Sequence, residues 1–171
     1  MLPRTPEFVK TGQVIVDIGA GSGYFTRRFA AAVGPTGKAI GIEIDSAMVR
    51  SLNADARRLA LTNYEARLVE PADPLLAARS ADVIFLCDTY HHINERVAYF
   101  ANVRQSLKPG GRLVIFDYVR TKERSEHSIV KEEAVDELRR AGFRLAREFD
   151  LLLPKQYFLE FEPEPDRKMN E

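Results

Sequence analysis

Hydrophobic and polar positions along the chain shift between two periods, and the shift predicts strands alternating with helices. Val14-Ile15-Val16-Asp17-Ile18 is a short apolar run with β-branched residues, closed by glycines, and predicts a buried strand. Tyr24 to Val33 predicts a helix stopped by Gly34-Pro35. Lys38 to Glu43 is a second strand, Ser46 is a good N-cap for a helix running to about Leu61, and Glu65 to Val69 is a third strand. A short helix is expected near Pro74 to Ala78, then a fourth strand over Asp82 to Cys87. A helix from about Glu95 to Leu107 ends at Lys108-Pro109-Gly110-Gly111, a strong stop and turn signal, before a fifth strand over Arg112 to Tyr118. Ser128 is placed to cap a helix reaching Arg140, with Gly142 at its C-terminal end.

The pattern changes near the end. Phe143 to Leu152 and Lys155 to Glu162 are two strands joined through a turn at Pro154. So short a link does not make a parallel crossover, so this pair is expected as an antiparallel hairpin. The expected fold class is α/β: a three-layer α/β/α sandwich around a seven-stranded, mostly parallel sheet with a C-terminal antiparallel hairpin. Residues 1–171 read as one domain, with a short N-terminal segment over 1–12 and a charged, proline-rich tail over 163–171 that is expected to be mobile.

Composition narrows the function classes. Hydrophobic residues make up 45% of the 171, enough for a real core. Lysine plus arginine equals aspartate plus glutamate, 25 each, so the basic excess that usually marks a nucleic-acid partner is missing. The start Met1-Leu2-Pro3-Arg4-Thr5-Pro6 does not read as a signal peptide, and no apolar run approaches the roughly 20 residues that span a bilayer. The one cysteine, Cys87, lies in Val83-Ile84-Phe85-Leu86-Cys87 and reads as a buried thiol. These features point to a cytoplasmic protein with no membrane partner.

Candidate chemistry begins with the loop Gly19-Ala20-Gly21-Ser22-Gly23, between the first strand and the first helix. Glycines there reach backbone angles that other residues resist and let a ligand approach the main chain. In an open α/β sheet this is the ligand crevice. The loop alone also suits a dinucleotide or a tight turn. Its partner is Glu43, ending the second strand, where a carboxylate can accept hydrogen bonds from both ribose hydroxyls of an adenosine ligand. The dinucleotide fingerprint wants glycine where Tyr24 stands, and dinucleotide domains usually continue in parallel rather than ending in a hairpin.

Val16-Asp17-Ile18-Gly19-Ala20-Gly21-Ser22-Gly23 resembles the first motif of class I S-adenosylmethionine-dependent methyltransferases. Glu43 is similar to their ribose-binding acid, and Leu107-Lys108-Pro109-Gly110-Gly111-Arg112-Leu113 to their turn before the fifth strand. The resemblance covers about Val14 to Phe161. It implies S-adenosylmethionine as cofactor, S-adenosylhomocysteine as product and a small-molecule acceptor. It places Gly19, Gly21 and Gly23 beneath the methionine portion, and Asp17 near the loop, bonding its backbone or the ligand's amino group. Glu43 would hold the ribose, with Ile44 and Met48 near the adenine. Ala72 and Asp73, after the third strand, would read the adenine edge, although Glu70-Pro71-Ala72-Asp73 departs from the commonest family wording. Asp88 would lie near the methionine amino group.

The acceptor side is expected just after the fourth strand, in Asp88-Thr89-Tyr90-His91-His92. The sulfonium is already activated, so transfer needs an aligned lone pair and only sometimes a base. His91 and His92 are the candidate catalytic residues, because imidazole titrates near neutrality. Either one could instead cap the next helix or pack on the ligand. Adjacent histidines point in different directions and show no third metal ligand at useful spacing, so no metal site is expected from them. A magnesium ion shared by Asp88 and Asp117, both at strand ends, is the metal variant. Cys87-Asp88-Thr89-Tyr90 stands where DNA amino-methyltransferases carry an Asn-Pro-Pro-Tyr-like segment, and methyltransferases acting on arsenite use several cysteines.

Family members usually carry helices before the first strand that cover the acceptor pocket. Here about a dozen residues precede Val14, with Thr5 to Lys10 enough for one or two helical turns, and Arg120 to His127 is the polar loop placed to close over the site. Three readings stay open: a shallow pocket for a large or exposed substrate, a pocket completed by a second subunit such as a homodimer partner, or a trimmed or engineered minimal core. The alternative to an enzyme is a cofactor-binding core without useful catalysis that acts as a scaffold or regulatory partner. A nucleotide-dependent oxidoreductase is the third reading.

Overall fold

In the computed structural model, which describes residues 8–118, 129–149 and 156–165, the apolar runs form the expected alternation. In chain order the elements are β1 (Val14–Ile18), α1 (Tyr24–Val33), β2 (Lys38–Glu43), α2 (Ser46–Arg58), β3 (Tyr64–Leu68), β4 (Ala81–Cys87), a 3₁₀ turn (Tyr90–His92), α3 (Arg96–Ser106), β5 (Leu107–Tyr118), α4 (Lys131–Arg140), β6 (Phe143–Phe149) and β7 (Gln156–Pro163). The strands make one seven-stranded sheet in the order β3-β2-β1-β4-β5-β7-β6. β3, β2, β1, β4 and β5 run parallel, and β7 is antiparallel to both β5 and β6. The expected fold class is therefore observed, including the terminal antiparallel pair.

Both faces of the sheet are covered at its centre, which is why β1, β4 and the later part of β5 read as continuous apolar runs, whereas the edge strands β3 and β6 mix in polar positions. The alternation reappears in what each residue packs against. Ile15, Val83, Phe85, Val114 and Phe116 join Phe29, Val33, Leu52 and Ala56 of α1 and α2. Their neighbours Val16, Ile84, Leu86, Leu113 and Ile115 join Tyr99, Phe100, Val103, Ala134 and Leu138 of α3 and α4. Phe8 closes the first face, with its ring 6.0 Å from Phe85, 6.2 Å from Phe29 and 5.6 Å from Phe158.

Three local expectations change. The N-cap of α2 is Asp45, not Ser46: its carboxylate accepts from the backbone N–H groups of Ala47 and Met48. Residues 74–78 form no helix. They cross a short connection held by a bridge between Glu70 and Asp73, in which Leu75 holds φ +49°, outside the right-handed helical region, and a run of five residues is too short to nucleate a helix. The Lys108-Pro109-Gly110-Gly111 segment is not a turn that precedes the strand. Pairing with β4 already begins at Leu107, opposite Ala81, and resumes at Arg112, opposite Val83, so four residues bulge out of a strand already under way.

Gly110 there has φ +76°, open to glycine. The Ser128 cap, the Arg120 to His127 loop, residues 150–152, the Pro154 turn, the tail beyond 165 and Thr5 to Glu7 lie outside the described residues. No described helix is long and apolar enough to cross a membrane.

Candidate active site

Chain order reverses direction between β1 and β4: β2 and β3 add to one side of β1, β4 and β5 to the other. A crevice opens at such a switch point, at the C-terminal ends of the strands. The glycine loop leaves β1 there. Gly19, Gly21 and Gly23 all have positive φ, at +70°, +54° and +71°. Gly19 and Ala20 donate their N–H groups to the Ile42 carbonyl of β2, at 3.0 and 3.2 Å, which fixes the loop against the neighbouring strand. A Cβ on Gly19 would stand 2.5 Å from the Thr89 side chain, whereas one on Gly21 would meet nothing nearer than a backbone oxygen 3.9 Å away. Gly19 thus serves packing, and Gly21 leaves open the space a ligand needs.

Glu43 ends β2 beside this loop. Its Oε1 accepts the Gly21 N–H at 2.7 Å and its Oε2 accepts the Ile44 N–H at 3.2 Å. Each oxygen keeps a lone pair for a further donor. Large apolar side chains stand exposed around it: Ile44 at 61% and Met48 at 37%, with Leu68 directly opposite Glu43 on β3. An acceptor pair bordered by open apolar surface suits a flat ring that carries a diol. Ala72 and Asp73 are exposed in the connection after β3, where the Asp73 carboxylate accepts the Leu75 N–H at 2.8 Å.

Asp17 lies under the loop rather than in the crevice. It is 2% exposed and accepts the Thr26 hydroxyl at 2.5 Å, fastening β1 to the first turns of α1. Burial pushes its carboxyl up to about 7, with the Thr26 hydroxyl working against that shift and the charge of Glu43 adding to it. Thr26 was not legible as a partner in the sequence. The signal was a polar residue on the apolar face of α1, among Phe29, Ala30 and Val33.

Beyond β4, Asp88 is exposed and holds φ +53°. The 3₁₀ turn then carries both histidines, with ring centroids 4.1 Å apart. His92 is exposed. His91 is held differently: its side chain is 5% exposed and its Nδ1 lies 3.1 and 3.3 Å from the two oxygens of Asp117, whose side chain is fully covered. Ligating atoms of Asp88, His91 and Asp117 all lie within 4.8 Å of one another. The structure thus sets His91 beside the Asp88 and Asp117 pair that the sequence singled out as the metal variant. Cys87 sits beside these carboxylates. Burial, then the charges of Asp17, Asp88 and Asp117, push its thiol up to about 12, so it stays protonated at neutral pH.

Tyr90, in the same turn, is fully buried and donates its hydroxyl to Glu137 of α4 at 2.7 Å. Arg96 of α3 grips the same carboxylate through two bonds, at 2.6 and 2.8 Å. An open cleft of about 700 Å³ lies at the other end of β5, lined by Arg79, Arg104, Lys108 and Glu162 among others. It contains none of the residues above.

A sheet of this order, with a glycine loop at its switch point and a carboxylate ending the next strand, is the architecture of a class I methyltransferase. The chain belongs to the methyltransferase-domain family, whose model matches residues 9–153. Among curated proteins, it is 28% identical over 119 residues to an arsenite methyltransferase of Halobacterium salinarum, covering 70% of this chain and 30% of that protein. It is 33% identical over 104 residues to the nocamycin O-methyltransferase of Saccharothrix syringae, covering 61% of this chain and 37% of that protein. It is 26% identical over 111 residues to the ubiquinone/menaquinone biosynthesis C-methyltransferase UbiE of Salmonella arizonae, covering 64% and 44%. The chain thus spans less than half the length of these relatives.

The fold is shared with a solved SAM-dependent methyltransferase from Aquifex aeolicus, at TM-score 0.83 and 24% identity over 91% of this chain and 85% of that one. It is also shared with the [4+2]-cyclase SpnF, at TM-score 0.80 and 16% identity over 94% and 78%. One fold thus carries different chemistries, and function has to be argued from the site.

Proposed function

We propose that the chain transfers a methyl group from S-adenosylmethionine to an O, N or S atom of a small-molecule acceptor. The observation that carries this reading is the Glu43 carboxylate, which ends β2 beside the glycine loop, bonds the Gly21 N–H at 2.7 Å and keeps a lone pair on each oxygen for a further donor. In this reading Gly19, Gly21 and Gly23 floor the methionine portion, and Glu43 holds the ribose. Ile44 and Met48 cover the adenine, Ala72 and Asp73 border its edge, and Asp88 faces the amino group. Asp17 supports the loop from below through Thr26. The bound sulfonium supplies an activated methyl group, so the protein's own task is to align an acceptor and, where that acceptor carries a proton, to take it.

His91, held against Asp117 with its side chain 5% exposed, is assigned the base, with His92 beside it on the solvent side. Small-molecule acceptors are supported by the relatives above. Cys87 is the only cysteine and its thiol stays protonated, which does not favour a thiolate-dependent acceptor such as arsenite. The balanced charge and the lack of cysteine pairing fit a cytoplasmic enzyme without a nucleic-acid partner.

Calorimetry with S-adenosylmethionine, S-adenosylhomocysteine and NAD tests the donor. Binding of both adenosyl ligands and not NAD is expected, and failure of both adenosyl ligands to bind sinks the reading. Transfer of labelled methyl across a panel of hydroxyl, amine and thiol acceptors tests the rest. Tight binding with no transfer to any of them would favour a cofactor-binding scaffold.

A further inference from the structure

Asp117 is buried yet sits at the mouth of the sheet. Along β5, Leu113 and Ile115 pack toward α3 and α4 while Val114 and Phe116 pack toward α1 and α2, so Asp117 falls on the α3/α4 face. Directly opposite it on β7 is Tyr157, 4% exposed and on the same face. Both Asp117 oxygens are within 3.3 Å of one atom, His91 Nδ1. An ionised carboxylate only accepts hydrogen bonds, so the proton of that contact belongs to Nδ1. In the neutral ring the lone pair then sits on Nε2. Nε2 makes no hydrogen bond to a described residue, and it is not among the buried polar atoms that lack a partner.

We infer that Asp117 is a positioning residue that fixes His91 as its Nδ1–H tautomer, so that Nε2 takes the proton of an acceptor bearing O–H or N–H at the attacked atom. The inference rests on the methyl-transfer reading and narrows its substrate class. A preformed anionic acceptor would approach two carboxylates, Asp88 and Asp117, whereas a neutral acceptor brings a proton that must leave. As the acceptor's lone pair forms the new bond to the methyl carbon, the carbon–sulfur pair stays on sulfur and the acceptor's proton passes to Nε2. The imidazolium so formed faces the Asp117 carboxylate, which stabilises it without taking the proton.

The test is the nitrogen spectrum of the full chain labelled with ¹⁵N-histidine, recorded at alkaline pH and assigned with His92→Gln. Wild type is expected to show a protonated Nδ1 and an unprotonated Nε2 at His91. Asp117→Asn is expected to shift that ring toward Nε2–H while S-adenosylhomocysteine affinity changes by less than about twofold. With an acceptor in hand, kcat of Asp117→Asn is expected to fall about 10²-fold or more, the span of general-base catalysis, with the donor KM unchanged. A wild-type ring carrying its proton on Nε2 overturns the inference, and this measurement stands even if Asp117→Asn does not fold. An unchanged tautomer in a folded Asp117→Asn overturns it too. So does selective broadening of the His91 signals by micromolar Mn²⁺, which would make His91 a metal ligand with Asp88 and Asp117. If the tautomer is as expected but S-adenosylhomocysteine does not bind, the methyl-transfer reading fails and the pairing stands.

Discussion

The Gly21 N–H donates to Glu43 Oε1 at 2.7 Å, joining the glycine loop to the end of the neighbouring strand across 22 residues of sequence. The contact both shapes the loop and orients the carboxylate. Glu43→Gln keeps the side chain's size but replaces an ionised acceptor by an amide that presents one oxygen. Hydrogen bonds to a charged group contribute about 1.5–3 kcal/mol. The expected result is therefore a loss of roughly 10–100-fold in S-adenosylhomocysteine affinity, with the melting temperature little changed. Calorimetry reads the first and a thermal melt the second. Unchanged affinity would show that Glu43 shapes the loop and does not touch the ligand.

Two glycines of the loop should fail in different ways. At Gly19 an added methyl meets Thr89 at 2.5 Å on a backbone with φ +70°, so Gly19→Ala should destabilise the fold by about 1–3 kcal/mol. At Gly21 the φ of +54° carries the same type of strain, but the methyl points into open space. Gly21→Ala should therefore cost about 1 kcal/mol of stability and a larger loss of adenosyl-ligand binding. Chemical denaturation and calorimetry on the two variants separate these effects. Equal binding losses at equal stability cost would contradict the division of roles.

Much of this was readable from the chain itself, because both faces of the sheet are covered at its centre and the inner strands appear as apolar runs closed by turn residues. Val14–Ile18 and Lys38–Glu43 match their expected bounds for that reason. The segment over 74–78 misled because helical composition over so short a length does not nucleate a helix, and Leu75 takes a left-handed backbone instead. Lys108-Pro109-Gly110-Gly111 marked the end of α3 correctly but hid the start of β5, because register across strands depends on the partner, Ala81 to Val83. At the site, Glu43 was legible from its position. The His91–Asp117 and Tyr90–Glu137 contacts were not, since they join residues 26 and 47 apart that only the sheet brings together.

Asp17 gives a pH signature. Its carboxyl is raised from 3.8 to about 7 in the folded chain, chiefly by burial, so the folded state holds a proton that the unfolded state has released over that interval. Stability from this group is complete below about 3.8 and is lost as pH rises toward 7, a change on the order of 4 kcal/mol. Asp17→Asn keeps an oxygen for the Thr26 hydroxyl and does not ionise. The difference in unfolding free energy between the variant and wild type should therefore grow in the variant's favour from pH 4 to 7.5 and flatten beyond. A difference that is constant across this range would show that Asp17 ionises freely in the fold.

The turn that carries His91 is itself held from behind. Tyr90 and Arg96 both spend their polar groups on Glu137 of α4, whose side chain is 16% exposed, and Arg96 also faces Glu133 of the same helix at 3.6 Å. Removing that acceptor leaves a buried hydroxyl and a partly buried guanidinium without it. Glu137→Ala should then cost about 3 kcal/mol, the low end for breaking a buried ion pair, because Arg96 retains some solvent contact. Tyr90→Phe removes one hydrogen bond while the Arg96–Glu137 pair survives, so about 1 kcal/mol is expected. The functional consequence of Tyr90→Phe should exceed that small stability cost. Tyr90 is in the same 3₁₀ turn as His91, so Tyr90→Phe should broaden the His91 ring signals and weaken its bond to Asp117 more than its small stability cost implies. Urea denaturation supplies the energies and the histidine nitrogen spectrum the local effect. A Tyr90→Phe spectrum identical to wild type at His91 would show that the turn is positioned by its backbone and Asp117 alone.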